Sequence, residues 1–187
     1  MKSILGFMFI KLRNFANSCI ALRNRNLFLT EKSNVHSTFK IGSDNIFDIS
    51  PNAEFQIGKN VTINQSNNIT VKSDAKLSIG EETYITRATI SCLGEVEIGK
   101  NCILGEGLKI FDHNHQYTTQ PFSVSKTKFN IGKVKIGDNV WTGANVTILK
   151  DVTIGDNCIL GSGVLVYKDV PSNTIIKAKQ ELISQPV

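Results

Sequence analysis

A six-residue periodicity dominates the C-terminal part of this sequence. From Ile136 to Val166 an aliphatic residue or threonine stands at every sixth position, and valine or cysteine follows four residues after each. A period of six fits neither the 3.6 residues of a helical turn nor the alternation of an ordinary strand, whereas it suits the coils of a solenoid. The step from Ile136 to Ile154 corresponds to three hexads, or one coil. The sequence therefore predicts an all-β solenoid of stacked short strands.

The repeat continues less regularly toward the N-terminus. Ile-Gly pairs at 41–42, 57–58 and 79–80 recur at one shorter and one longer step, and we interpret them as a loosened form of the repeat with insertions. Without the interruption at 112–130, residues 35–176 provide enough chain for six to seven coils. One solenoid domain over 35–176 is predicted, because single coils cannot bury their own faces.

The N-terminal segment 1–30 has a different character. It holds five bases and no acid, whereas the rest of the chain holds 16 bases and 16 acids. Apolar residues from Ile4 to Leu22 recur at spacings of three and four, which predicts a short basic amphipathic helix over 1–30. Two roles remain open for this helix, a cap over the first coil or a peripheral contact with an anionic membrane surface.

Cysteine usage and hydropathy indicate the compartment. The four cysteines form no C-x-x-C pair and fit buried thiols, which suits a reducing cytoplasm. No apolar run is long enough to span a bilayer, and no nucleic-acid-binding motif is evident. We therefore expect a cytoplasmic protein, working at the inner membrane face if the N-terminal helix binds lipid.

The interruption of the repeat at 112–130 is the first candidate for a functional segment. It is polar, lacks the hexad period and holds two of the three histidines, His113 and His115, at its beginning. Long loops in compact repeats are usually functional, and histidine suits proton transfer at neutral pH. The segment is predicted to protrude as a loop that carries a catalytic base.

Trp141, the only tryptophan, is the second candidate. Its place in the hexad register points outward, where a large aromatic side chain favours contact with a partner or ligand.

The hexads, the phrase Ile-Gly-Asp-Asn-Val-Trp at 136–141 and the phrase Tyr-Lys-Asp-Val-Pro at 167–171 resemble the hexapeptide-repeat acyltransferases. The nearest resemblance is to galactoside and maltose O-acetyltransferases and to capsule or lipopolysaccharide O-acetyltransferases. It implies a left-handed parallel β-helix, a homotrimer with active sites between subunits, acetyl-CoA as the donor and a catalytic histidine on the protruding loop.

Carried onto this sequence, the resemblance implies His113 as the general base, with His115 as the second choice, and Trp141 at the acceptor. Small residues at the matching corners and one lysine would hold the donor: Gly143, Ala144, Gly161, Ser162 and Lys168. The family's closing Gly-x-Pro-Ala-Lys/Arg phrase is replaced by Lys-Ala-Lys-Gln-Glu at the start of the 177–187 tail. We expect Lys177 and Lys179 to replace its contact with the 3′-phosphate of CoA.

The resemblance implies transfer of acetyl to a sugar hydroxyl of a capsule, lipopolysaccharide or exopolysaccharide, or of its precursor. N-acetylation of a nucleotide-linked amino sugar is the alternative. A zinc carbonic anhydrase of similar fold is disfavoured, because the third histidine, His36, lies roughly three coils before His113 in the predicted solenoid. No metal is therefore expected. A non-enzymatic solenoid with a regular outward threonine ladder is disfavoured by the mixed outward residues.

Overall fold

The computed structural model describes residues 32–179, which form a parallel β-solenoid interrupted by one hairpin. Each complete coil contributes strand segments to three faces, and in the third and fourth coils one long strand covers two of them. In chain order the strands are β1 (Asn34–Val35), β2 (Lys40–Ile41), β3 (Ile46–Ile49), β4 (Glu54–Ile57), β5 (Thr62–Ile63), β6 (Asn68–Val71), β7 (Lys76–Ile79), β8 (Tyr84–Cys92), β9 (Glu95–Ile98), β10 (Ile103–Phe111), β11 (His113–Thr119), β12 (Phe122–Ile131), β13 (Lys133–Ile136), β14 (Trp141–Thr142), β15 (Thr147–Ile148), β16 (Val152–Ile154), β17 (Ile159–Leu160), β18 (Leu165–Val166) and β19 (Ile175–Ile176).

The first face is the six-stranded sheet β1-β4-β7-β9-β13-β16. The second face runs β2-β5-β8-β10-β14-β17-β19, and the third contains β3, β6, β15 and β18. The long strands β8 and β10 cross from the second face to the third, with a register shift between them at Glu106/Leu108. We call the bends after these faces the first, second and third corners. Six coils are complete and a seventh begins, which confirms the predicted number.

Coil length changes along the chain. In the first coils Ile41 pairs with Ile63 and Ile57 with Ile79, a wider sequence spacing than that between the later partners Ile136 and Ile154. The early coils are therefore longer than three hexads. The shorter step between the first two Ile-Gly pairs is not a coil length, since Ile41 and Ile57 lie on different faces.

The added residues lie at the third corner. The chain from Asn68 on the third face to Ser78 on the next first face is longer than the equivalent connection from Thr147 to Thr153 in the regular coils. The hairpin β11–β12 is inserted at this same corner, between the third-face end of β10 and β13. The interruption at 112–130 is thus a two-stranded antiparallel hairpin rather than a loop without secondary structure.

The Ile-Gly-Asp-Asn phrase shapes the first corner. A Cβ on Gly137 would lie 2.8 Å from backbone atoms of the next coil, so only glycine allows this spacing. Asn139 adopts φ 57°, a left-handed conformation that asparagine tolerates better than most residues. Its side-chain amide donates to Asn157 Oδ1 at 3.1 Å, and Asn157 donates in the same way to Asn173.

Inward side chains of successive coils stack into one aliphatic core, and most of them are fully buried. Cys92, Cys102 and Cys158 are buried free thiols, as predicted, and burial raises the pKa of the first two. Cys19, the predicted helix over 1–30 and the end of the tail lie outside the described residues. Within residues 32–179 there is no helix capable of crossing a membrane.

Candidate functional site

The hairpin leaves the solenoid at Asp112, immediately after β10. The backbone carbonyl of Asp112 accepts a hydrogen bond from Gly132 N at 2.7 Å, which closes the base of the hairpin. The Asp112 side chain is fully buried beneath this closure. A Cβ on Gly94 would lie 2.6 Å from Gly132 O, so the hairpin base packs directly on the corner of the preceding coil.

The Asp112 carboxylate is surrounded by hydrogen-bond donors. Leu93 N donates to it at 2.9 and 3.0 Å, and Gly94 N donates at 2.7 Å. His113 Nδ1 lies 2.9 Å from Asp112 Oδ1. A buried carboxylate is costly unless it is well paired, and these three partners provide that pairing. One side chain therefore fixes the backbone of one coil and the histidine at the start of the hairpin.

His113 is held in one orientation. Its side chain is 13% exposed, and its ring makes an edge contact with Phe129 at a centroid distance of 5.2 Å. Because an ionised carboxylate can only accept a hydrogen bond, Nδ1 donates to Asp112 and Nε2 keeps its lone pair. Histidine in this arrangement can take up a proton at Nε2, and the adjacent carboxylate stabilises the imidazolium that results.

His115 lies beside His113 on the same hairpin but has a different partner. Its Nδ1 donates to Ser125 O at 2.8 Å, and its ring packs on Phe129 with a centroid distance of 4.6 Å. Its Nε2 is also available, yet its partner is a neutral carbonyl that stabilises a positive ring less than a carboxylate does. The geometry therefore favours His113 over His115 as the base.

Phe129 contributes to the site, although no motif in the sequence marks it. It lies on β12 opposite His115 and contacts both histidine rings. Its role depends on hairpin register, which the interrupted hexad pattern does not reveal. The only hint in the sequence is that Ile131-Gly132 repeats the Ile-Gly phrase and so marks the return to the coils.

Trp141 lies on the second face, with its side chain outward and 52% exposed, as the hexad register predicts. It belongs to a column of outward apolar residues on successive coils, formed by Tyr84, Ile103, Trp141, Ile159 and Ile175. The second face lies opposite the third corner, so Trp141 and His113 do not meet within one chain.

Four of the candidate donor residues gather at the second corner, on coils five and six. Ala144 N donates to Ser162 Oγ at 3.2 Å, and a Cβ on Gly143 would lie 2.7 Å from Ser162 N. The amides of Gly143 and Gly161 donate to carbonyls of the next coil. In the part of the chain that the structure describes, the Ser162 amide has no acceptor, so it is available to a ligand.

The candidate lysines are divided between two corners. Lys177 follows β19 directly, and its Cα lies 3.5 Å from the Cβ position of Gly161, so it joins the second corner with Lys179 two residues beyond. Lys168 follows β18 at the third corner, where its Nζ lies 5.6 Å above the Tyr167 ring. Lys168 is therefore separated by the third face from Gly143, Ala144, Gly161 and Ser162 of the same chain.

The side chains of the described residues form no recognisable metal-binding site. No group of three or more histidine, cysteine, aspartate or glutamate side chains between residues 32 and 179 is placed to hold a metal ion.

Comparison with known proteins agrees with this architecture. Residues 133–168 match the family model of the bacterial transferase hexapeptide, six repeats. The resemblance to hexapeptide-repeat acyltransferases is therefore confirmed.

Among individual proteins, the chain is 39% identical over 83 residues to a polysialic acid O-acetyltransferase of Neisseria meningitidis. That match covers 42% of this chain and 37% of the relative's length. The crystal structure of the polysialic acid O-acetyltransferase OatWY superposes with a TM-score of 0.50 at 26% identity, over 80% of this chain and 88% of that one. A maltose O-acetyltransferase from Clostridium difficile 630 gives 0.47 at 25% identity, over 78% and 65% of the two chains.

The buried position of Asp112 gives a first prediction. Replacing the fully buried Asp112 by alanine leaves the amides of Leu93 and Gly94 without acceptors in a partly buried corner, and we expect the free energy of unfolding to fall by about 2–4 kcal/mol. Asp138→Ala is the matched control, because Asp138 Oδ1 accepts from Lys100 N at 2.8 Å at a partly exposed corner. It should cost about 1 kcal/mol or less, since water can replace the lost acceptor. Urea denaturation measures both values, and equal losses would contradict the proposed role of Asp112.

Proposed function

We propose that this protein is an acetyl-CoA-dependent O-acetyltransferase. Its acceptor is a sugar hydroxyl of a cell-surface polysaccharide, such as a capsule, lipopolysaccharide or exopolysaccharide, or of its precursor. The observation that carries this proposal is the contact between Asp112 and His113, which leaves His113 Nε2 as a base at the root of the hairpin. The similarity in fold to a polysialic acid O-acetyltransferase supports the reaction class.

In the proposed reaction, His113 Nε2 takes the proton of the acceptor hydroxyl while that oxygen attacks the thioester carbonyl of acetyl-CoA. The resulting tetrahedral intermediate collapses with cleavage of the C–S bond. The proton on His113 passes to the departing CoA sulfur, so the base is regenerated and no acyl-enzyme forms. The buried carboxylate of Asp112 stabilises the imidazolium between the two proton transfers.

The second corner is the proposed donor site. Gly143, Ala144, Gly161 and Ser162 leave the backbone accessible to the pantetheine arm, and the Ser162 amide can donate to a carbonyl of the donor. Lys177 at the same corner, with Lys179, is suited to the 3′-phosphate of CoA. Lys168 lies at the third corner, away from this donor site. In the proposed enzyme it would therefore contact the phosphates of an acetyl-CoA molecule bound to a neighbouring copy.

We also propose that the working enzyme is a homotrimer of left-handed β-helices, with each site shared between two copies. His113 lies at the third corner, whereas Trp141 and the donor corner lie on the opposite side of the same chain. A neighbouring copy that places its second face against the hairpin would bring Trp141 to the acceptor beside His113. The exposed apolar column on the second face gives such a contact a hydrophobic surface to bury.

The base assignment is tested by acetyl transfer. We expect His113→Ala to lower kcat by about 10²- to 10⁴-fold, the usual contribution of a general base. His115→Ala should retain most of the rate, and His36→Ala serves as the control because His36 lies on the first coil. The assay follows thiol release from acetyl-CoA with a panel of polysaccharides and amino sugars. Loss of activity in His115→Ala alone would move the base, and thiol release that no acceptor increases would refute the proposed function.

The shared site is tested by mixing two inactive variants. His113→Ala chains and Trp141→Ala chains, co-expressed with different tags, should regain activity in mixed trimers. With equal amounts, about one quarter of the sites combine a native histidine with a native tryptophan from the neighbour, because each is present in half of the chains. Activity near one quarter of the wild-type value supports sharing. Mixed trimers that stay as inactive as each variant alone would place both residues in single-chain sites.

A further inference from the structure

The hairpin is a basic surface element. Residues 113–131 include Lys126 and Lys128 and no acidic residue. On the coils, some lysines, such as Lys40 and Lys59, also lack a carboxylate partner among the described residues, whereas six have one within salt-bridge distance, namely Lys72, Lys76, Lys100, Lys133, Lys135 and Lys150. Within residues 32–179, no carboxylate lies that close to Lys126 or Lys128. Uncompensated ammonium groups on one exposed element attract anions.

Both lysines are adjacent in sequence to residues that contact the histidine pair. Lys126 follows Ser125, whose carbonyl accepts from His115 Nδ1 at 2.8 Å. Lys128 precedes Phe129, whose ring contacts both histidines. Ser125 Oγ also accepts from the amide of Lys128 at 2.9 Å, which fixes the backbone between the two contacts. The ammonium groups therefore extend from a segment anchored beside the proposed base.

The same hairpin exposes two aromatic rings near its tip. Tyr117 is 65% exposed and Phe122 is 76% exposed, and Tyr117 is paired with Val124 across the hairpin. Exposed aromatic side chains of this kind offer apolar faces to a ligand. The C–H faces of pyranose rings match them, while a compact inorganic anion would gain nothing from them.

From these features we infer that Lys126 and Lys128 bind carboxylates of the acceptor, which is an acidic polysaccharide rather than a neutral one. The inference rests on the proposed function and names the substrate class of the same site. A polymer with a carboxylate on its sugars can place one hydroxyl at His113 Nε2 while neighbouring carboxylates meet the two lysines and neighbouring rings meet Tyr117 and Phe122.

The experiment compares acidic polymers with their carboxyl-reduced forms. Polysialic acid, polygalacturonic acid and hyaluronan, each intact and with carboxylates reduced to alcohols, are used as acceptors and as ligands in calorimetry without acetyl-CoA. Lys126→Gln/Lys128→Gln removes two positive charges while keeping polar, flexible side chains at both positions. Lys40→Gln/Lys59→Gln is the matched control, since these exposed lysines lie on the first two coils and form no salt bridge with the described residues. Thermal melting checks that both double variants fold.

For an accepted acidic polymer, we expect the hairpin variant to raise KM about five- to twentyfold, with kcat within about twofold of wild type. The dependence of KM on salt should weaken, and the control variant should behave as wild type. Equal KM values for intact and reduced polymers, or an unchanged KM in the hairpin variant while transfer continues, would overturn the inference and leave the proposed function intact. Lysine-dependent binding of acidic polymers without any transfer would instead overturn the proposed function. Neither binding nor transfer with any polymer would overturn both.

Discussion

A single buried carboxylate connects the repeat to the candidate chemistry. The Asp112 side chain accepts hydrogen bonds from the amides of Leu93 and Gly94 and from His113. It therefore joins the third corner of the preceding coil to the base of the hairpin. A polar group buried in this way must keep all its partners, because each unsatisfied donor or charge is costly. The same requirement that keeps the corner intact therefore fixes the orientation of the histidine.

The repeat gives each side of the solenoid a different surface. On the first face, charges of opposite sign alternate between coils and pair with one another, as Glu95 does with Lys133 and Glu97 with Lys135. The second face presents an apolar column around Trp141, and the third corner carries the inserted hairpin. Because every coil repeats the same three directions, a site that needs both the second face and the third corner requires two chains. The proposed sharing of the site between copies therefore rests on the geometry of the solenoid as a whole rather than on any one contact.

The sequence predicts the solenoid well because its physical cause is periodic. A hexad from Ile136 to Val166 specifies strands, corners and the outward position of Trp141 without any long-range information. The length of the early coils is harder to predict from the sequence. These coils contain additional residues at the third corner, which break the hexad spacing. The Ile-Gly pairs at 41–42 and 57–58 lie on different faces, so the step between them does not give a coil length. The hairpin has no hexad pattern, so its strands and the contacts of Phe129 depend on pairing that the repeat does not encode. Asp112 directly precedes His113 in the sequence, so their contact can be suspected from the sequence alone. The burial of Asp112, and the backbone amides that donate to it, are revealed only by the folded corner.

The orientation of His113 by Asp112 is tested most directly by the protonation state of the histidine rings in solution. In protein labelled with ¹⁵N at histidine, long-range ¹H–¹⁵N correlation spectra distinguish Nδ1–H from Nε2–H tautomers, and three histidines give few signals to assign. If Asp112 orients His113, neutral His113 carries its proton on Nδ1, bound to Asp112, and Asp112→Asn disturbs this state while the His36 signals stay unchanged. A neutral His113 with its proton on Nε2 would leave no lone pair on that nitrogen for the acceptor proton and would contradict the role of His113 as the base.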